Sequence, residues 1–353
     1  MESPKPARIQ ILQVVRLFAA SMIILYHTDL IGSRGSFGVE VFFVLSGFLA
    51  VYTTSRPVRA GSYLLKRLIR LLPLYWIFTV LTFLILNLKP GISNMSDEDP
   101  LHFLYSMLFI PYVGRTNLVL PILAVGWTVN FELAFSLLFA LSLFISHRHR
   151  VLVCSLLLLA LVAAGLLIKP EPLFIKYYTD VLFFDFFLGV AAGWLWERLR
   201  RSVPDGRPVL SGLPAPLRIP VSVLLAALSL FCVWFLVTNG RFPVKMHVAF
   251  RFGFPAVVLV LSLLLLLEQT RFPPLVLSLG EMTYSVYLVE YFTTSVYKRL
   301  VPEGIGLPLR VLSLLLLFAV TFALSVIPYR LIEVRLSSRL RRLCLPSGDK
   351  KGC

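Results

Sequence analysis

Arg16 and His27 stand eleven positions apart in the first apolar run of this chain, "VVRLFAASMIILYH". At about 100° and 1.5 Å per residue, eleven helical steps make three turns plus about 20° and advance about 16 Å. The two side chains therefore share one helix face at different depths. Carboxylates recur inside later apolar runs: Glu40 in "FGVEVFFVLSGFLA", Glu132 in "GWTVNFELAFSLLF", Asp185 in "DVLFFDFFLG" and Glu290 in "YSVYLVEYF". A His facing carboxylates in a low-dielectric cavity suits general-base chemistry, because the acid orients the ring and stabilises imidazolium. Each residue also admits a structural reading. Arg16 could extend its guanidinium to inner headgroups, His27 beside Tyr26 could join an interfacial belt, and the carboxylates could bond helix to helix. The shared face of Arg16 and His27 favours a common buried site. A cation well inside a span costs at least ~2.5 kcal/mol, and ionisable residues within membranes usually face an interior cavity.

The elements that must position these residues are membrane-spanning helices. The chain has 353 residues, 58% of them apolar, and a mean hydropathy of +0.84, more apolar than a soluble protein of this length. Apolar runs near the ~20 residues that cross a bilayer recur throughout, without the short alternating segments of a β-barrel. The expected fold is an all-α polytopic membrane protein with about ten spans: 11–31, 37–54, 72–88, 125–146, 151–168, 177–196, 219–238, 251–268, 275–297 and 309–329. The segment 101–113 is apolar but short, and reads as an interfacial or re-entrant helix on the outer side. The longest connections are expected at 55–71, 89–124 and 197–218. A transmembrane domain over 1–335 precedes a short basic tail, 336–353.

The net charge of +16 follows from topology and not from nucleic-acid binding. With the amino terminus inside, cytoplasmic segments hold 22 Lys and Arg, outer segments 11, and Arg16 is the remaining one. That asymmetry is the positive-inside pattern, and it places both termini in the cytoplasm. By the same orientation Arg16 falls in the cytoplasmic third of the first span and His27 in the outer third. Glu40 is expected level with His27, Glu132 about 10 Å in from the outer face, and Asp185 and Glu290 mid-depth to outer. The first span lacks a convincing cleavage site, so it is expected to stay as an anchor. Cys154 and Cys232 fall in spans and Cys344 and Cys353 in the tail, with no metal or redox spacing. No metal site is expected.

The motifs, taken in order, resemble the integral membrane acyltransferase-3 family. Its signature is Arg or Lys, ten residues, then His in the first span, as in Arg16 to His27. "GVEVFFVLSGFL" (Gly38 to Leu49) resembles its second-span motif, with an acidic residue where Glu40 stands. "KRLIRLLPLYW" (Lys66 to Trp76) is similar to its basic stretch followed by Pro-x-Tyr-Trp. "GWTVNFE" (Gly126 to Glu132) resembles its Trp-Ser/Thr-Leu-x-x-Glu pattern, with Val129 in place of Leu. "LGEMTYSVYL" (Leu279 to Leu288) and "YRLIE" (Tyr329 to Glu333) are similar to its ninth and last spans. The resemblance runs from residue 9 to about 335. It departs at Glu290, where many relatives have His, and at Val334, where Pro is usual.

What the resemblance implies is transfer of an acetyl or other short acyl group from cytoplasmic acyl-CoA to a hydroxyl of a surface or exported glycan, in a bacterial cytoplasmic membrane. His27 would be the base or be transiently acylated, Glu40 would orient it, and Glu132 would support the acceptor or the His. Arg16, Lys66, Arg67 and Arg70 would hold the CoA end. Trp127, Tyr284, Ser285, Glu290 and Asp185 would serve the acceptor or the structure. A pantetheine arm is comparable in length to the ~16 Å between Arg16 and His27, and a planar guanidinium bonds phosphate bidentately. From another class, a transporter or flippase without chemistry would also bury such residues, though no inverted halves or paired broken helices are evident. A scaffold with a decayed site would not be expected to hold Arg16, His27, Glu40 and Glu132 together.

Overall fold

The computed structural model describes residues 9–32, 34–89, 99–115, 117–204, 207–239, 245–302 and 304–345. The end of the expected tail, with Cys353, lies outside the described residues. The fold is helical; among the described residues the only β-type pairing is an isolated bridge between Val113 and Val119. Seven helical segments are long and apolar enough to cross a membrane, and two shorter apolar helices lead the chain. Two compact units are formed, one from residues 1–58, 141–162 and 181–283, the other from 59–140, 163–180 and 284–353.

The first unit contains α1 (Ile11–His27), α2 (Gly38–Thr53), α8 (Phe183–Arg201), α9 (Ala215–Thr238), α10 (Lys245–Leu267) and α11 (Pro274–Glu281), with the start of α6 (Arg150–Leu167). Its helices meet through glycine. A Cβ on Gly47 of α2 would lie 2.3 Å from the Phe186 carbonyl oxygen, one on Gly189 of α8 would lie 2.1 Å from the Val44 carbonyl oxygen, and one on Gly193 would lie 2.7 Å from Val51 Cβ. Small residues four apart let membrane helices approach backbone to backbone, where dispersion rather than hydrophobicity holds them. The Phe43 and Phe186 rings stack at 4.4 Å beside this seam. Gly280 of α11 meets the Gln13 carbonyl of α1 in the same way.

The second unit contains α3 (Ala60–Leu88), α4 (Pro100–Met107), α7 (Leu173–Tyr178), α12 (Thr283–Leu300) and α13 (Leu307–Pro328), with most of α5 (Trp127–Ile145). A π-helical segment, Tyr329–Leu336, joins α13 to α14 (Ser337–Cys344) in one unbroken helical run. Side-chain hydrogen bonds hold it. Tyr75 donates to the Ser106 carbonyl at 2.9 Å and the Trp76 indole to the Met107 carbonyl at 3.0 Å. Thr128 donates to the Tyr287 hydroxyl at 2.9 Å, which donates to the Val125 carbonyl at 2.8 Å. Thr293 and Thr321 join α12 to α13 at 2.7 Å. α4 is started by Asp99, whose carboxylate accepts from the Leu101 N–H at 2.9 Å with Pro100 in the first turn, a favoured cap. The Tyr112 hydroxyl, and then that N–H, hold the Asp99 carboxyl below the usual range.

Several expectations change. The basic stretch expected as a loop at 55–71 is helical from Ala60 onward, because "AGSYLLKRLIRLL" is made mostly of good helix formers, with its one glycine, Gly61, in the first turn. Pro73 sits inside α3, where its missing N–H frees the carbonyl of Ile69. The Ser337 hydroxyl stands 3.1 Å from that oxygen, so α14 repairs what the proline breaks. The short helix expected at 101–113 ends at Met107, and Phe109 follows at a φ of 59°. The ninth span is two helices interrupted at Met282, and the last continues well past 329. The sixth begins only at Phe183, after the separate α7.

Candidate active site

Four of the expected residues stand in the first unit. Arg16 and His27 are both half-buried on α1, and His27 is its last helical residue. The face between them is covered by protein: Ala20 and Ile23 are each 2% exposed, and a Cβ on Gly38 would lie 2.7 Å from Ile23 Cγ1. The Nε of Arg16 is itself buried. Neither residue lies on a face bare to lipid. The His27 ring packs against Tyr26 at 5.1 Å, and the Thr28 hydroxyl closes the helix end on the Leu25 carbonyl at 2.6 Å.

Glu40 is fully buried in the first turn of α2. It is not level with His27. Gly35 packs on the Met22 carbonyl, and Gly38 on Ala19 and Ile23, so the connection folds back along α1 before α2 begins. Glu40 is thereby roughly 12 Å deeper in backbone height than His27, closer to the level of Arg16. On antiparallel helices each side chain leans toward its own N-terminus, which turns His27 and Glu40 toward each other and narrows that interval. Asp185, also fully buried, stands in the first turn of α8. The seam pairs Val44 with Gly189 and Phe48 with Gly193, so the register sets Asp185 beside Glu40, one turn further out. Gly253 of α10 gives the Asp185 carboxylate its room: a Cβ there would lie 2.2 Å from Oδ1.

The remaining residues stand in the second unit. Arg67 Nη1 pairs with Glu132 Oε1 at 3.1 Å, with side chains 12% and 14% exposed, and the Arg67 guanidinium lies 5.6 Å from the Tyr63 ring centroid. Glu132 thus has a cation on α3 as its partner. Arg70 faces Glu333 and Glu132 as attractive charges, and Arg67 and Arg341 as repulsive ones. Lys66 is half-buried on the same helix. The Tyr284 hydroxyl donates to the Leu71 carbonyl at 2.8 Å. Ser285 donates through its N–H to Glu333 Oε1 at 2.9 Å and through its hydroxyl to the same oxygen. Trp127 is half-buried and its carbonyl accepts from Tyr177 at 3.3 Å. Glu290 is buried mid-helix, with its backbone carbonyl accepting from Thr294 at 2.6 Å.

Sequence reading did not place Glu333 in the site, although the motif "YRLIE" contains it; its partners are some 50 residues distant in α12. It also missed a second cluster in the first unit. Arg150 Nη2 pairs with Glu197 Oε1 at 2.6 Å, Arg150 Nε donates to Thr54 Oγ1 at 3.1 Å, and His147 Nε2 lies 2.9 Å from the Thr54 carbonyl. An Arg opening one apolar run and a Glu at the end of the next was the available signal. Among the described residues no cluster of His, Cys, Asp and Glu is arranged to hold a metal ion.

A family model described as an acyltransferase domain matches residues 9–330. The exopolysaccharide production protein ExoZ of Rhizobium meliloti (strain 1021) is 30% identical over 284 residues, covering 78% of this chain and 81% of that protein. The O-acetyltransferase OatA of Staphylococcus aureus (strain NCTC 8325 / PS 47) is 25% identical over 351 residues, covering 90% of this chain and 55% of that protein. No solved structure matches the chain.

Proposed function

Because the chain belongs to the acyltransferase-3 family, we propose that it moves an acetyl or other short acyl group from cytoplasmic acyl-CoA to a hydroxyl of a surface or exported glycan. The observation that carries this reading is the covered face of α1. A cation and an imidazole share it, about 16 Å apart along the axis, with protein rather than lipid between them. The names of the relatives add support: one is tied to exopolysaccharide production and one to O-acetyl transfer.

In this reading His27 takes the proton of the acceptor hydroxyl. The oxygen attacks the thioester carbonyl, the carbon–sulfur bond breaks, and CoA leaves as a thiol after taking up that proton. An acyl-His intermediate reached in two steps is the other route. Glu40 orients His27 and stabilises its charged form. Arg16 meets CoA phosphate, and Lys66, Arg67 and Arg70 are further phosphate contacts. Glu132 serves the site by holding Arg67. Trp127, Tyr284, Ser285, Glu290 and Asp185 serve the acceptor or the positions of these groups. The bilayer is a bacterial cytoplasmic membrane with both termini inside, so reporter fusions at Thr54 and Lys169 should read inside and outside respectively.

The test is label transfer from [14C]acetyl-CoA to glycan in membranes carrying the protein. Label should appear in parent membranes and be lost with Arg16→Ala. Glycan movement across the bilayer with no label transfer would favour the transporter reading. Arg16→Lys should retain partial activity, because a point charge still meets phosphate.

A further inference from the structure

The carboxylate of Glu333 stands where three parts of the second unit meet. It lies on the π-helical segment that follows Pro328, a local form that recurs at functional sites. Its Oε1 accepts from the Ser285 N–H at 2.9 Å and from the Ser285 hydroxyl. Ser285 is the third residue of α12, whose early N–H groups have no partner within their own helix, and the positive end of the helix favours a carboxylate there. Glu333 is also the foremost attractive charge facing Arg70. The backbone on either side of Arg70 is held from the same elements: the Ile69 carbonyl lies 3.1 Å from the Ser337 hydroxyl, and the Leu71 carbonyl accepts from Tyr284 at 2.8 Å. Arg70 is thus anchored before and after in sequence by the elements that carry Glu333 and Ser285.

We propose that Glu333 is a positioning residue that fixes Arg70 and the first turn of α12 for the acyl donor. This rests on the donor reading of Arg70 given above. Glu333 touches no reacting atom in this scheme. It acts through Arg70, and removing its charge lets the guanidinium leave the pose that receives phosphate. Glutamine separates the two duties, because it can still accept from Ser285 but no longer attracts the guanidinium.

The experiment is a double-mutant cycle on the full-length protein in membranes, with Glu333→Gln, Arg70→Ala and the two combined. Initial rates are taken against acyl-CoA and against glycan acceptor. Glu333→Gln should raise the half-saturating acyl-CoA concentration about tenfold, within the usual range for coupled neighbours, and leave the acceptor curve and the maximal rate near parent values. The double variant should be no worse than Arg70→Ala alone. Glu333→Asp, which keeps the charge, should recover part of the loss and serves if the Gln variant accumulates poorly. Additive effects of the two substitutions would overturn the proposal, as would a lower half-saturating concentration in Glu333→Gln, the sign expected if Glu333 merely competes with phosphate. An Arg70→Ala variant with the parent's acyl-CoA curve would remove the donor reading of Arg70 and this proposal with it; additivity removes the proposal alone.

Discussion

The seam between α2 and α8 of the first unit joins helices by bringing backbones together, whereas the helices of the second unit are tied by side-chain hydrogen bonds and an ion pair. In the first, Gly47, Gly189 and Gly193 make the seam, and Glu40 and Asp185 extend its register outward. In the second, Tyr75, Thr128, Tyr284, Ser285 and Ser337 each bond to another element, and Arg67 is paired with Glu132. The difference shows how a membrane protein can keep ionisable groups for chemistry. In the first unit glycine supplies the close packing at the seam that carries Glu40 and Asp185. Where polar side chains supply it, charged groups such as Arg67 and Glu132 also hold helices together.

The largest expected effect tests whether the chemistry belongs to the glycine-packed unit. His27→Ala should lower acyl transfer ~10²–10⁴-fold, the usual loss of a general base, while the thermal unfolding of purified protein in detergent barely moves. A transfer rate within a few-fold of the parent would falsify the assignment of His27. Next comes the seam itself. Gly189→Leu has no space beside the Val44 carbonyl and should cost at least the ~1–3 kcal/mol of ordinary overpacking, seen as loss of folded protein. Gly61→Ala near the start of α3, with nothing within 4 Å of its Cβ position, should be neutral or gain up to about 1 kcal/mol. Equal tolerance at both sites would erase the contrast between the units.

The smallest effect concerns the polar ties. Ser337→Ala should cost about 1 kcal/mol, as the loss of one hydrogen bond does. The same change should be nearly neutral in a Pro73→Ala background, where residue 73 again supplies an N–H to the Ile69 carbonyl. Thermal unfolding of the four combinations measures the coupling. Independent effects would mean that Ser337 does not serve the proline site.

Much of the fold was legible in the sequence because membrane burial leaves a long, one-dimensional signal. Helix-length apolar runs marked the spans, with seven helices recovered as long and apolar enough and α1 and α2 as shorter ones. The shared face of Arg16 and His27 came from helical geometry alone, since both lie on one uninterrupted α1. The helical nature of 60–71 was less legible, because charge count suggested a loop while residue propensity favoured helix.

What the sequence by itself determined is therefore the helix-length apolar runs, the shared face of Arg16 and His27 and the identity of the ionisable groups, all of which follow from composition and local periodicity. The tertiary structure alone decided which groups meet. The depth of Glu40 depends on a connection folding back through Gly35 and Gly38. The pairing of Glu132 with Arg67, and of Glu333 with Ser285, joins residues 65 and 48 positions apart. The physical reason is that helix periodicity fixes only the direction of a side chain about its own axis. Height and partner are set by how closely neighbouring backbones approach, which here rests on single glycines and on hydroxyls that satisfy distant carbonyls.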